Sequence, residues 1–245
     1  MKQILIGLSS TGTSMVHISR SQSIRYLTYL HSGSRIRGIK RDPASFLKNP
    51  NGLNYESLKP ETYHDQIKSI LRLNDFQIDL SNDIILQCMT HKSFAHGSRP
   101  YNEKLSLLGS QFIKFRASVH SILHESASIK PDFSQLGSIK SRTLVSRETS
   151  AQFIISNKLK GFVFWKMRDP LGNSVRNGQS TVFSTVTTSL VGAILTTNGE
   201  TKATKFVDEL LLKENSNPIS LIDITNEHSF PEHTTAEGVR STREE

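Results

Sequence analysis

The chain has 245 residues, of which 36% are hydrophobic, a formal charge of +8 at pH 7 and a single cysteine. This length and composition allow one substantial core with tails, while one cysteine excludes an internal disulfide or a thiolate zinc cluster and suits a reducing compartment. No window approaches the roughly 20 uninterrupted apolar residues that a membrane-spanning helix requires, so no membrane span is predicted.

The N-terminal segment carries most of the positive charge. Residues 1–41 contain no Asp or Glu, are rich in serine, and place apolar side chains among spaced basic ones. This composition is typical of a mitochondrial transit peptide, so residues 1–30 are predicted to be one and the protein is predicted to act in the mitochondrial matrix. The alternative is a basic arm that stays on the protein and contacts nucleic acid. The basic residues of the segment are Lys2, Arg20, Arg25, Arg35, Arg37, Lys40 and Arg41.

The boundaries of the folded body follow from composition. Residues 31–60 are predicted to form a basic linker or arm, because "SGSRIRG", "DPAS", "NPNG" and "KPET" cluster Gly, Pro, Asn and Ser without a sustained hydrophobic period. The body is therefore expected at residues 61–213. The polar residues 214–245, whose only apolar stretch is "ISLIDI", are predicted to be a mobile tail.

Successive segments of the body have apolar residues at helical spacing. "HDQIKSILRLN" begins at His64, and Ser81 is a candidate N-cap for a helix in "SNDIILQCMTHKSF". The segment "NEKLSLLGSQFIKFRASVHSILHE" follows, and "FSQLGSIKSRTLVSRETSAQFIISNKL", "STVTTSLVGAILTTNG" and "ETKATKFVDELLLKE" complete the series. Alternating β-branched runs joined by tight turns are largely missing between residues 60 and 213, so the domain is predicted to be all-α.

The segments "MTHKSFA", "NEKLSLLGSQFI", "LGSIKSRTLVSRETSAQFIISNKL" and "TSLVGAILTTNG" resemble, in order and spacing, the endonuclease domain of the ribonuclease III family. The family's signature runs N-E-[RK]-L-E-[FW]-L-G-D, and residues 102–110 read N-E-K-L-S-L-L-G-S. The resemblance implies the ribonuclease III fold, an all-α domain that dimerises through the signature helix and binds double-stranded RNA.

The acidic residues of the resembling family are replaced in this chain. Active members hold magnesium with acidic side chains, because a hard divalent cation prefers charged oxygen ligands. Aligned on the motifs, the first pair of acids falls on Ser106 and Ser110, and the second pair falls on Thr185 and Thr188. Four neutral hydroxyls do not replace that charge, so no catalytic residue, no metal and no cofactor are predicted. Glu103 remains, and we expect it to make a structural hydrogen bond or ion pair.

A basic surface is predicted on the helix that contains "KSRTLVSRE" and at the end of the next one, where the family's helix borders its RNA-binding valley. Phosphate contacts need only positive charge in the right place and carry no sequence information. The alternative is a solvated basic helix face. The predicted RNA-binding residues are Lys140, Arg142, Arg147, Lys158 and Lys160.

An apolar surface is predicted on the signature helix. Leu108, Phe112 and Phe115 recur at helical spacing, and the corresponding face forms the subunit interface in the resembling family. Core packing within one subunit is the competing interpretation. We expect a homodimer, or a heterodimer with a related domain. The residues from Glu214 onwards are too few for the double-stranded-RNA-binding domain that follows the nuclease domain in many family members.

A transit-peptide-like N-terminus on a ribonuclease III fold without its acids is similar to ribonuclease III-like proteins of the fungal mitochondrial large ribosomal subunit. The partners expected from this resemblance are ribosomal RNA, a second ribonuclease III-like mitochondrial ribosomal protein and other mitochondrial ribosomal proteins. An inactive subunit of a mitochondrial RNA-processing endonuclease heterodimer is the alternative. A true enzyme with misaligned acids is disfavoured, because the nearby acids lack the required helical offsets: Glu103, Glu125, Asp132 and Glu148.

Overall fold

A computed structural model of the chain describes residues 47–124, 133–167, 169 and 177–227. The described residues are helical, which confirms the all-α prediction; their only β-pairing consists of two isolated bridges, between Lys48 and Asn54 and between Thr90 and Phe164. Short 3-10 turns lie at Phe94–Gly97 and Leu159–Phe162, and a π-helical turn, Val207–Leu211, continues the seventh helix. The helices are α1 Pro60–Ile70, α2 Asn82–Cys88, α3 Glu103–His124, α4 Ile139–Leu144, α5 Arg147–Ser156, α6 Gln179–Asn198, α7 Glu200–Phe206 and α8 Leu221–Glu227.

Serine side chains cap the starts of four helices, including Ser220 at the start of α8. The Ser81 hydroxyl accepts a hydrogen bond from the backbone N–H of Ile84, which confirms the predicted N-cap of α2. Ser138 and Ser146 cap α4 and α5 in the same way, each at 3.1 Å from a backbone nitrogen three residues ahead. Hydrophobic periodicity presents "FSQLGSIKSRTLVSRETSAQFIISNKL" as one segment. The N-cap at Ser146 divides this segment into α4 and α5, because an N-cap residue lies outside the helical conformation.

Helix α6 is the central element of the core. Its most extensive contacts are with α3 and α5, and most of its middle is buried, including Val186, Leu190 and Ile194. By length and composition α6 could also cross a membrane, but 61% of its most apolar window is buried inside the fold. The helix contains no charged residue, as is expected at such a central position.

Two glycines allow α3 and α6 to cross at close range. A Cβ atom placed on Gly109 would lie 1.9 Å from the carbonyl oxygen of Thr188, and one on Gly192 would lie 2.0 Å from that of Leu105. Both contacts are with backbone atoms, which cannot move aside as a flexible side chain can. Because Gly109 and Gly192 have no side chain, the backbones of α3 and α6 can approach each other this closely.

The ordered body begins before the predicted boundary at residue 61. Leu47 is buried, and the side chain of Tyr55 stacks on Phe94 with ring centroids 5.4 Å apart. The buried amide of Asn49 accepts hydrogen bonds from two N–H groups of its own loop and donates to the carbonyl oxygen of Gly161 at 2.8 Å. Part of the predicted linker, residues 47–59, thus packs on the body; residues 1–46 lie outside the described residues.

The body also extends past the predicted boundary at residue 213. Leu221 and Ile224 are fully buried, so the "ISLIDI" stretch forms part of the core instead of a mobile tail. Asn157, the C-cap of α5, holds this segment through two hydrogen bonds with the backbone of Ile219, at 2.8 and 3.0 Å. A short apolar stretch packs here because α4 and α5 offer it a surface. Residues 228–245 lie outside the described residues.

A buried histidine is expected to make the stability of the fold depend on pH. Both ring nitrogens of His64 are buried without a hydrogen-bond partner of normal geometry among the described residues, and the ring meets that of Tyr63 edge-on at 4.9 Å. Burial, together with the charge of Lys68, lowers the pKa of His64 below its ordinary value. Burial likewise lowers the pKa of His91.

We expect the protein to be less stable at pH 5 than at pH 8. Below about pH 6.5 the unfolded state binds protons that the buried imidazoles of the folded state do not, so the free energy of unfolding falls as the pH drops. His64→Phe should flatten part of this dependence, as measured by urea unfolding at both pH values. An unchanged slope in the variant would exclude His64 as a contributor.

Candidate functional site

The structure brings together hydroxyls that the resemblance places at the positions of the family's acids. Ser106 and Ser110 lie one turn apart on α3, while Thr185 and Thr188 lie one turn apart on α6. Residues three or four apart share one face of a helix, so each pair can point toward the other helix. The hydroxyl oxygens of Ser106 and Thr188 meet across the crossing at 2.7 Å.

Each of the four hydroxyls has a partner within the fold. Ser110 donates to the carbonyl oxygen of Leu107 at 2.8 Å, and Thr185 donates to that of Val182 at 2.7 Å. Thr188 lies 2.9 Å from the carbonyl oxygen of Ser184 and also meets Ser106. The hydroxyl cluster, defined as Ser106, Ser110, Thr185 and Thr188, is therefore a set of neutral, satisfied polar groups, and its bond between Ser106 and Thr188 joins α3 to α6.

Glu103 is held in an ion pair, as expected from the sequence. Its Oε1 atom accepts a hydrogen bond from Nζ of Lys92 at 2.7 Å. This hydrogen bond and the positive charge of Lys92 hold the pKa of the Glu103 carboxyl below its ordinary value and raise the pKa of Lys92. Glu103 is therefore ionised at neutral pH and ties the start of α3 to the loop before it.

The side chains of the hydroxyl cluster do not fit a magnesium ion. A hard divalent cation needs several charged or strongly polar oxygens, and this cluster offers neutral hydroxyls that are already bonded to carbonyl groups or to each other. Among the described residues, no group of three or more His, Cys, Asp or Glu side chains is arranged to hold a metal. The cluster thus has the chemistry of a structural junction.

A buried asparagine lies at the start of the signature helix, and a half-buried histidine and serine lie in the loop before it. The Asn102 amide donates to the carbonyl oxygen of Cys88 at 3.0 Å, and its backbone carbonyl accepts the first hydrogen bond of α3 from Ser106. His91 Nδ1 and the Ser93 hydroxyl lie 2.9 Å apart, and Ser93 accepts from the backbone N–H of Lys166. In the sequence, the only feature that marked these three residues was their place in the family motifs.

The five predicted RNA-binding residues are divided between the two ends of α5. Arg142 and Arg147 are exposed near its start, whereas Lys158 and Lys160 follow its end, about 15 Å away along a ten-residue helix. Lys140 lines a groove of about 560 Å³. The groove also contains carboxylates, those of Asp208, Glu209 and Glu214. The five predicted RNA-binding residues therefore do not form one continuous basic patch.

The three predicted interface residues differ in exposure. Leu108 is 41% exposed and Phe115 is 57% exposed, whereas Phe112 packs against the hydrophobic core. Leu107, 68% exposed, and Leu123, 62% exposed, extend the outward apolar side of the helix. We call Leu107, Leu108, Phe115 and Leu123 the outer face of α3. The buried inner side of α3 consists of Ile113 and three small residues, Gly109, Ala117 and Ser121.

An all-α domain with this signature helix, packed through glycines on a second long helix, defines the class of ribonuclease-III-like domains. The family model described as Ribonuclease-III-like matches residues 81–215, more than half of the chain. The chain therefore belongs to the ribonuclease-III-like family.

Two solved structures of the ribonuclease III nuclease domain from Campylobacter jejuni are similar to the chain. Both are 19% identical to it and cover 56% of it. The match spans 91% of one, described as showing flexibility in a region involved in dimer formation, with a TM-score of 0.42. It spans 88% of the other, with a TM-score of 0.43.

Proposed function

We propose that the protein is a non-catalytic ribonuclease-III-like component of the mitochondrial large ribosomal subunit. In this role it binds ribosomal RNA and pairs with a second ribonuclease-III-like protein, among other mitochondrial ribosomal proteins. The observation that carries the proposal is the hydroxyl cluster, in which Ser106 and Thr188 bond directly where an active family member requires carboxylates. A fold kept intact around such a cluster fits a binding role better than a hydrolytic one.

Two further features support the proposal: one concerns the location of the protein and the other its binding role. The N-terminal 41 residues combine seven basic residues with no acidic one, the composition on which the mitochondrial assignment rests. The outer face of α3 exposes large apolar side chains on one helix, and contiguous apolar surface commonly marks a protein interface. The outer face also fits the alternative function, an inactive subunit paired with an active nuclease in RNA processing.

Sedimentation separates the two functions. Tagged protein from mitochondrial lysate should migrate with the large ribosomal subunit in a sucrose gradient, and chelation of magnesium should shift both together. Purified protein with Mg²⁺ or Mn²⁺ should not cleave double-stranded RNA, because the donors of the site are neutral. Migration in a small complex that does cleave RNA would support the alternative, and cleavage by the purified chain alone would refute both.

We expect Leu108→Glu combined with Phe115→Glu to abolish pairing without unfolding the chain. Both side chains are largely exposed, so charging them removes little packing from the monomer but places carboxylates in an apolar interface. The matched control is Ile139→Glu with Ile155→Glu, two exposed residues on other helices. Pull-down of the partner and thermal unfolding measure the two effects. Retained pairing in the first variant would show that the outer face is not the interface.

A further inference from the structure

The loop of residues 47–54 and the 3-10 turn Leu159–Phe162 are joined into one rigid surface. The link is Asn49, whose amide makes four hydrogen bonds: it accepts from the N–H groups of Asn51 and Leu53 and donates to the carbonyl oxygens of Gly161 and Val163. The amide is 5% exposed and fully satisfied. Its bonds fix the position of the loop on the turn before any ligand arrives.

This joined surface is positively charged. Lys48 precedes Asn49 and Lys160 precedes Gly161, so the hydrogen bond between Asn49 and Gly161 places the two lysines on either side of one contact. Both lysines are exposed, and neither forms an ion pair with a described residue. Neither residues 47–54 nor residues 157–163 contain an Asp or Glu.

Hydrogen-bonding groups lie beside the two lysines. Asn51 is exposed at the tip of the loop, and a Cβ atom on Gly161 would lie 3.4 Å from the Nδ2 atom of Asn51, so the amide rests against the backbone of the turn.

A third lysine, Lys158, differs from Lys48 and Lys160. It follows the C-terminus of α5, where a cation already interacts favourably with the helix dipole. Its position has a structural explanation, whereas the fold gives none for Lys48 and Lys160.

We propose that Lys48, Lys160 and Asn51 form a binding surface for the sugar-phosphate backbone of double-stranded RNA. The surface lies partly outside residues 81–215, the part of the chain that matches the family model. The inference rests on the proposed RNA binding and adds a location to it.

The chemistry of the surface favours an RNA duplex over other anionic partners. A membrane-binding surface needs apolar side chains beside its cations, and neither segment exposes a large hydrophobic residue. Stacking of single-stranded bases needs an exposed aromatic ring, and Phe162, the aromatic residue of the turn, packs against the core. Lysines and an amide on a preformed surface suit phosphate and sugar contacts, which read the shape of a duplex.

The test measures binding of the full chain to a labelled RNA duplex at several salt concentrations. Lys48→Glu with Lys160→Glu should weaken binding about tenfold or more at physiological salt and lower the salt slope by about two. Lys205→Glu with Lys213→Glu, exposed lysines on other elements, is the control with the same change in charge and should weaken binding less than threefold. Lys48→Arg with Lys160→Arg should retain binding, and thermal unfolding should show that all variants fold.

The outcomes distinguish this inference from the proposed function. If the wild-type chain binds the duplex and the Lys48/Lys160 variant behaves like the control, the surface is wrong and RNA binding stands. If the wild-type chain binds no RNA, the proposed RNA binding fails and the inference fails with it. If the two lysines control binding to vesicles of anionic lipid but not to the duplex, the surface is a membrane site and the inference is overturned.

Discussion

Replacing Gly192 with alanine is expected to lower the free energy of unfolding by about 4 kcal/mol or more, enough to unfold many domains of this size. The new Cβ atom would lie 2.0 Å from the carbonyl oxygen of Leu105, a backbone atom within α3. This steric clash is relieved only if α3 and α6 separate, and their separation opens the most extensive helix–helix contact among the described residues. Gly109→Ala should act similarly, because its Cβ would lie 1.9 Å from the carbonyl oxygen of Thr188.

Gly161→Ala is the matched control for both variants. A Cβ atom there meets only the Asn51 amide, at the ordinary contact distance of 3.4 Å, so we expect a change within about 1 kcal/mol. Urea unfolding of the three variants measures the difference. Because Gly109 and Gly192 lie at the same crossing, the double variant should lose less than the sum of the single losses. A stable Gly192→Ala protein would contradict the close approach of the two helices.

Restoring the family's acids is expected to make the protein depend on a metal ion. The four-acid variant combines Ser106→Glu, Ser110→Asp, Thr185→Asp and Thr188→Glu. The Ser106 and Thr188 hydroxyls are 2.7 Å apart and Thr188 is 8% exposed, so carboxylates at these positions would repel each other in a poorly solvated place. In chelator we expect a loss of about 2 to 4 kcal/mol in the free energy of unfolding.

Manganese should reverse most of that loss. An ion at about one hundred times its dissociation constant stabilises the folded state by about 2.7 kcal/mol, whereas the wild-type protein should not respond. The matched control replaces the same four residues with Gln, Asn, Asn and Gln, which keeps the size of the side chains and removes their charge. Thermal unfolding with chelator and with Mn²⁺ compares the three proteins. A wild-type protein stabilised by Mn²⁺ would contradict the conclusion that the hydroxyl cluster does not fit a divalent metal ion.

Much of the candidate site was predictable, because the motifs contain residues whose spacing determines their contacts. The alignment placed Ser106 and Thr188 on facing helices, and their hydroxyls do meet. Ser81 was recognised as an N-cap because its chemistry is local. A hydrogen bond or ion pair of Glu103 was expected because one remaining carboxylate cannot hold a metal, although the partner, Lys92, could not be chosen without the fold.

The packing of α3 was harder to predict because several of its buried residues are small. The sequence analysis predicted an interface of Leu108, Phe112 and Phe115, with core packing as the competing interpretation; Leu108 and Phe115 are exposed, whereas Phe112 packs against the core. The buried ridge runs through Gly109, Ala117 and Ser121, small residues that a hydrophobicity pattern does not mark. Because α6 approaches α3 closely, only small residues fit between the two helices. Which face of α3 is buried is therefore set by α6, and the sequence of α3 alone does not specify it.

The limits of the domain were misjudged for a related reason. Composition assigned "NPNG" and "ISLIDI" to the flanks, because polar and short apolar stretches rarely form a core alone. Asn49 and Asn157 overturn this with side-chain amides that bond to backbone groups 112 and 62 residues away. Contacts at such separations cannot be read from either local segment.

Those two amides also attach both ends of the described body to one short segment. The Asn49 amide bonds to Gly161 and holds the first described segment, and the Asn157 amide bonds to the backbone of Ile219 and holds the last one, so both attachments lie within residues 157–161. A local opening of residues 157–161 is expected to break both attachments in one step, which leaves each end segment held by its buried side chains alone. Amide hydrogen exchange should then show residues 47–55 and 219–224 losing protection together, although they lie at opposite ends of the folded chain.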